Sequence, residues 1–175
     1  MNDAAINNET SPRFASSLDL PDLTETFLSG AQTAFTDGEK FVVFFLDDAL
    51  FAIPAREVTE VIRPLRHTPL PGAPVWLTGI ANLRGEIISI VDLAQFCHKA
   101  AAPVTPKSKF IVLRPKMFDA PVAFPIDKLN EIITLGKEEI RFEAVSYFFG
   151  KAVYKSNPVY LLDTNKIFSS LLLGS

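Results

Sequence analysis

The sequence predicts a mainly β fold in which about ten short strands close into one or two small barrels. Three observations carry that expectation. Fifteen Phe stand against one Trp and three Tyr, and side chains of this kind suit a pleated, half-buried surface. Thirteen Pro supply turns and strand edges and leave few long uninterrupted segments. Short apolar runs bounded by Gly, Pro, Asn or Asp recur along the chain, and closing such sheets removes their exposed edges. A chain of 175 residues can bury one core or two small ones.

Residues 1–17 are mostly Asn, Ser, Thr, Ala and Asp, a polar tail that buries little. Leu20, Leu23, Phe27, Ala31 and Phe35 then recur at steps of three and four, the spacing of a short amphipathic helix. Pro21 suits a helix start, whereas Gly30 weakens the interior by about 1 kcal/mol. Residues 1–37 are read as a flexible N-terminal tail able to form that helix, which either packs on its own domain or serves as a docking element. After Gly38, residues 41–46 and 50–53 form a hairpin around Asp47 and Asp48. Residues 55–60 suit a helical turn with Val58 and Val61 on one side. Residues 62–70, punctuated by Pro64 and Pro69, are extended, and 73–77 suit a second helical turn. The apolar run over 87–91 follows GIANLRG, and Asp92 can cap a helix over 93–98. Residues 100–106, rich in Ala and Pro, mark a sub-boundary. Beyond it, strands are expected at 110–114, 122–126 and 131–135, a helical turn at 136–140, and a hairpin joining 150–155 to 159–162. Ile167, Phe168, Leu171 and Leu172 predict a closing helix over 164–172.

The chemistry of the sequence excludes several classes. A net charge of −3, with 17 Lys and Arg that do not gather into one block, offers no field for phosphate backbones and argues against nucleic acid. Cys97 is the only cysteine, so no intrachain disulfide forms and a reducing compartment is expected. No apolar run approaches the roughly 18 residues of a membrane span, and the chain start lacks the apolar centre of a secretory signal. Cytoplasmic localisation without membrane insertion is the expectation. Cys97 and His98 invite a nucleophile-and-base reading, yet sequence neighbours point in different directions on a helix or a strand. A metal would have to recruit Cys97, His98 and His67, and no paired ligand spacing occurs. The acidic pairs at 47–48 and 138–139 suit turns and helix starts, and no phosphate-cradling loop is present. No catalytic, cofactor-binding or metal-binding residue is therefore assigned, and no cofactor is expected.

The most informative stretch is GIANLRGEIISIVDL, from Gly79 to Leu93. Gly79 and Gly85 bracket a short extended piece where the backbone turns tightly or approaches another strand closely. Asn82 can satisfy backbone groups in such a turn, leaving Arg84 to extend a planar, multi-donor head. The alternative is a structural Arg84 paired internally with a carboxylate.

With its surroundings this stretch resembles the CheW-like coupling proteins of bacterial chemosensory arrays. The resemblance runs over about residues 40–172 and rests on four pieces in order: FVVFFLDDALFAIP followed by REVTEVI, then NLRG with its following strand and Asp92, then VAFPIDKLNEII, then FFGKAVYKSNPVYLLDTNKIF. It implies two small five-stranded SH3-like barrels packed through a shared hydrophobic seam, with a few short helices. The domain would span 38–172, with a first barrel over about 38–100 plus the C-terminal region and a second over about 107–155. The resemblance implies no catalysis. It implies an adaptor that couples methyl-accepting chemoreceptors to a CheA-type histidine kinase, binding the kinase regulatory domain through barrel ends and the receptor's cytoplasmic tip in a groove near the seam. By that likeness Arg84 and Asn82 belong to the groove region, and Val58, Ile62 and Ile80 contribute to apolar contact surfaces. Ordinary core packing is the alternative for those three. Glu86 and Lys128 depart from the residues usual at their positions, and the segment before Asp37 exceeds a minimal member, which points to a variant such as one controlling pilus-based motility. Two rivals remain: an array spacer that binds kinase without receptor, and a small enzyme with a deep pocket.

Overall fold

A strand buried on both faces carries an unbroken apolar run, whereas a strand with one wet face alternates. FVVFFL near the chain start and FIVL in the middle show no alternation. In the computed structural model of the protein, which describes residues 38–97, 99–100, 105, 107–116 and 120–173, both runs lie between two cores. The polar tail and helix expected over 1–37 lie outside the described residues, as does His98.

Among the described residues eleven strands and two helices follow in chain order. The strands are β1 (Glu39–Leu46), β2 (Ala49–Pro54), β3 (Val58–Ile62), β4 (Leu77–Leu83), β5 (Glu86–Val91), β6 (Lys109–Leu113), β7 (Val122–Ile126), β8 (Lys128–Leu135), β9 (Arg141–Val145), β10 (Phe148–Tyr154) and β11 (Asn157–Leu162). The helices are α1 (Leu93–Phe96) and α2 (Thr164–Leu173), and single 3₁₀ turns cover Ala55–Glu57 and Lys137–Glu139. One sheet has the order β8-β1-β2-β11-β10-β9 and the other β3-β6-β7-β5-β4, so the chain enters the first sheet, builds the second, and returns.

The alternation of β1 explains how the sheets share a seam. Phe41 and Val43 point into the core of the first sheet with Leu50, Ile133 and Phe149. Val42, Phe44 and Leu46 point the other way, into a larger cluster shared with Ile111, Leu113, Phe124 and Ile126 of the second sheet. Those strands turn their alternate residues, Phe110, Val112 and Ala123, into a third cluster with Ile88 and Ile90. Helix α2 closes the seam: Ile167 and Phe168 are buried, and the Phe168 ring stacks on Phe124 with centroids 5.9 Å apart. Asp163 starts this helix by accepting from the Lys166 N–H at 3.1 Å. The Thr164 hydroxyl donates to the Glu57 carboxylate and ties the helix to the turn before β3.

The mainly β class, the two sheets and the few helices are as the sequence predicts. Three details differ. The sheets have six and five strands rather than five each, because β9, whose sequence RFEAV is half polar, adds an edge strand. The sub-boundary at 100–106 does not separate the sheets: β6 and β7, expected in a second barrel over 107–155, pair with β3 and β5, while β8 and β10 join the sheet of β1. An Ala- and Pro-rich connection marks a break in regular structure, but strand partners are chosen by which apolar faces meet, and both runs after the break fit the seam. Finally, residues 58–60 form a strand rather than part of a helical turn, since β-branched Val58, Thr59 and Val61 favour extension. Residues 73–77 likewise make a turn that leads directly into β4.

Candidate functional site

The β4–β5 connection is a two-residue hairpin loop, because Leu83 pairs with Glu86. Arg84 and Gly85 occupy it with φ of 56° and 91°, the left-handed pair that such a loop needs to match strand twist. Gly85 meets that demand without strain. Asn82 performs the turn role expected of it, its Oδ1 accepting from the Gly85 N–H at 2.9 Å. The Arg84 guanidinium reaches back to β3 and donates to both carboxylate oxygens of Glu60, at 2.8 and 3.2 Å. Arg84 thus has a carboxylate partner, as the structural reading expects, and its side chain is still 74% exposed.

The clasp closes the second sheet. β3 and β4 are its two edges, and Thr68, just beyond β3, exchanges both backbone hydrogen bonds with Ile80 of β4 at 2.8 and 3.0 Å. Gly79 is required here: a Cβ at that position would lie 2.4 Å from the Thr68 carbonyl oxygen. On the other side of the loop Glu86 accepts two hydrogen bonds from Arg114, at 2.8 and 2.6 Å, just past β6. The Arg114 hydrogen bonds hold the Glu86 carboxyl below the usual carboxylate range. The hairpin tip is thus strapped to β3 through Arg84 and to the end of β6 through Glu86.

In the first sheet a turn is likewise tied to an edge strand. Lys155, also at positive φ, in the β10–β11 turn, donates to Glu131 of edge strand β8 at 2.8 Å and lies 4.8 Å from the centre of the Tyr154 ring. Hydrogen bonding to Lys155 and then to Tyr154 lowers the Glu131 carboxyl, and the ammonium is raised in turn. Lys128 sits over the Phe45 ring at 5.9 Å, at the beginning of β8.

Among the apolar residues expected at contact surfaces, Val58, Ile62 and Ile80 are only half exposed. Val58 packs against the seam cluster and Ile62 against the second sheet's own core, so core packing accounts for much of their surface. Arg84, Asn82 and Ile80 share the β4 edge and its loop, and Arg84 brings Glu60, two residues from Val58 and Ile62, to the same place. Sequence reasoning missed Glu60, whose only signal is a carboxylate in the middle of a short apolar strand. It also missed the large apolar side chains that are more exposed: Ile87 at 54%, Ile132 at 61% and Val153 at 73%.

Among the described residues no comparable arrangement of reactive groups appears. Cys97 is buried, and burial pushes its thiol up to about 12, far from a nucleophilic thiolate at neutral pH. A 120 Å³ cavity at one end of the seam is lined by Asp47, Asp92 and Asp127 with Thr78 and Ser108. Two of its carboxylates serve the backbone, Asp92 accepting from the Ala94 N–H and Asp127 from that of Asp47, while the Asp47 carboxylate lies 4.0 Å from the Lys99 ammonium. Among the described residues no three His, Cys, Asp or Glu are grouped to hold a metal ion, and no helix is long and apolar enough to cross a membrane.

Comparison with known proteins gives a consistent result. The CheW-like domain family matches residues 40–172. The chemotaxis protein CheW of Bacillus subtilis is 27% identical over 103 residues, 59% of this chain and 65% of that protein, so the chain spans just under two thirds of its length. Protein PilI of Pseudomonas aeruginosa is 34% identical over 70 residues, 40% of this chain and 39% of that one. In architecture the chain is similar to the crystal structure of the scaffolding protein TtCheW from Thermoanaerobacter tengcongensis, with a TM-score of 0.65 at 22% identity, covering 73% of this chain and 86% of that one.

Proposed function

Because the chain belongs to the CheW-like domain family over residues 40–172, we propose that it is a non-catalytic adaptor that couples chemoreceptors to a CheA-type histidine kinase. It holds the cytoplasmic tip of a methyl-accepting receptor and the kinase regulatory domain in a fixed relation, so that a change in one biases the other. Coupling of that kind is typically worth about 1–3 kcal/mol and can be spread over many contacts. It works in the cytoplasm, touches no nucleic acid and needs no cofactor.

The observation that supports this reading best is Arg84. Its backbone is fixed by a two-residue loop and its guanidinium is oriented by Glu60, yet its side chain remains 74% exposed. A forked donor held that rigidly can fix the register of a docked helix at little entropic cost. Asn82 shapes the loop, and the exposed parts of Val58, Ile62 and Ile80 add apolar contact beside it. The presence of two sheets, each with its own core, suits two separate docking faces. Likeness to protein PilI, and the segment before residue 38, favour an output in pilus-based motility.

The test is to titrate the full chain, separately, into a labelled kinase regulatory domain and into labelled receptor tips. Binding to both is expected. Binding to the kinase alone would assign the role of an array spacer, and binding to neither would contradict the reading.

A further inference from the structure

Charge is divided unevenly along the chain. Residues 1–37 carry six acidic residues against Arg13 alone, so the net −3 splits into −5 for this segment and +2 for residues 38–175. Three of the six, Asp19, Asp22 and Glu25, fall at the head of the stretch in which Leu20, Leu23, Phe27, Ala31 and Phe35 recur at helical spacing. The result is an acidic, amphipathic sequence whose apolar stripe has to be covered.

The second sheet offers a matching surface. The Arg84–Glu60 clasp at one end and the Thr68–Ile80 bridge at the other pin residues 61–67 alongside β4. Arg63 and Arg66 are both exposed on this strip, and neither forms an ion pair among the described residues. Directly beyond it Leu70 is 38% exposed and Val75 89% exposed. Unpaired guanidinium groups next to uncovered apolar side chains complement an acidic amphipathic segment.

The point of attachment allows the two to meet. The chain enters β1 at Glu39, which accepts from Arg56 in the turn just ahead of β3. From there β3 runs outward in extended form, and Arg63 lies seven residues past Arg56, at most about 23 Å away. Residues 19–35 as a helix would span about 25 Å, and the three residues to Gly38 add up to about 10 Å.

From these observations we propose that residues 19–35 dock on the strip bearing Arg63 and Arg66, with the apolar stripe covering Leu70 and Val75 and the acidic head of the segment lying within the field of the arginines. The contact is intramolecular and stands whether or not the strip also receives a receptor.

The test uses the full chain. A nitroxide attached through Ser29→Cys reports where residues 19–35 lie, and buried Cys97 does not compete for a thiol reagent at neutral pH. Amide signals of residues 63–75 are expected to lose at least half their intensity relative to the reduced label. Arg63→Glu with Arg66→Glu should restore them. Adding Asp19→Arg, Asp22→Arg and Glu25→Arg to that double variant should bring the loss back. Should the arginine variant fail to fold, the three acidic reversals alone make the same test from outside the described fold. Unchanged intensities in the parent protein, loss confined to another surface, or loss insensitive to charge reversal would each overturn the proposal.

Discussion

Arg84→Gly separates the clasp to Glu60 from the receptor contact proposed for the same residue. The variant loses the bidentate contact to Glu60, and with Arg84 74% exposed and Glu60 25% exposed, solvent screening limits that loss to about 1 kcal/mol. It also relieves a backbone at φ 56°, where a side chain costs about 1 kcal/mol and glycine costs nothing. The two effects oppose each other, so the unfolding free energy should stay within about 1 kcal/mol of the parent and the melting temperature within about 4 °C. Arg84→Ala keeps the strained backbone without the contact, and should be the less stable of the two by about 1 kcal/mol. Urea unfolding followed by circular dichroism gives these numbers, and a receptor-tip titration on the same samples gives the functional effect. Receptor binding is expected to fall at least tenfold in both variants. A loss of more than about 2 kcal/mol in Arg84→Gly would show that the clasp is structural. Unchanged receptor affinity with an intact fold would refute the assignment of Arg84 to the groove.

Three further outcomes follow from the packing. Gly79→Ala places a Cβ 2.4 Å from the Thr68 carbonyl oxygen at φ 156°, so it should cost about 2–4 kcal/mol in urea unfolding; a midpoint like the parent's would contradict the close approach. Burial raises the Glu57 carboxyl above its ordinary 4.5, ahead of the lowering by the Thr164 hydrogen bond and the Arg56 charge, with Asp163 adding to the rise. The folded chain therefore keeps that proton after the unfolded chain has released it, and the stability it brings is fully present below pH 4.5 and lost as pH rises through the raised value. Glu57→Gln removes this slope, so its stability relative to the parent should increase as pH rises from 4.5 toward neutrality; a constant difference would count against burial as the cause. Cys97, buried and with its thiol at about 12, should react with a thiol reagent at pH 8 no faster than the protein unfolds, and immediate labelling of native protein would contradict its burial.

Much of the fold is legible because its strands sit between cores. The unbroken runs of β1, β6 and β7 announce burial on both faces, and the Asp92 cap and the apolar spacing of α2 announce the helices. Strand partnership is less legible. Nothing in FIVL says whether the strand pairs with β3 or β10, because both choices bury the same apolar surface, and the composition change at 100–106 reports a connection rather than a sheet boundary. At the candidate site the sequence displays the loop, since Asn82, Arg84 and Gly85 each have a local reason to be there. It does not display Glu60, whose partner is 24 residues away and is reached only when the sheet curls. Nor does it distinguish Ile87 and Ile132, left in solvent, from neighbouring Ile88 and Ile133, which are buried, because a strand's inward face is set by its partners and not by its own composition.

The central claim is that two docking faces operate at once. Saturating the full chain with kinase regulatory domain and then titrating in receptor tips, with both monitored by analytical ultracentrifugation, tests it directly. The account predicts a ternary complex in which each partner binds as it does alone or more tightly. Displacement of one partner by the other would mean a single shared face and would contradict it.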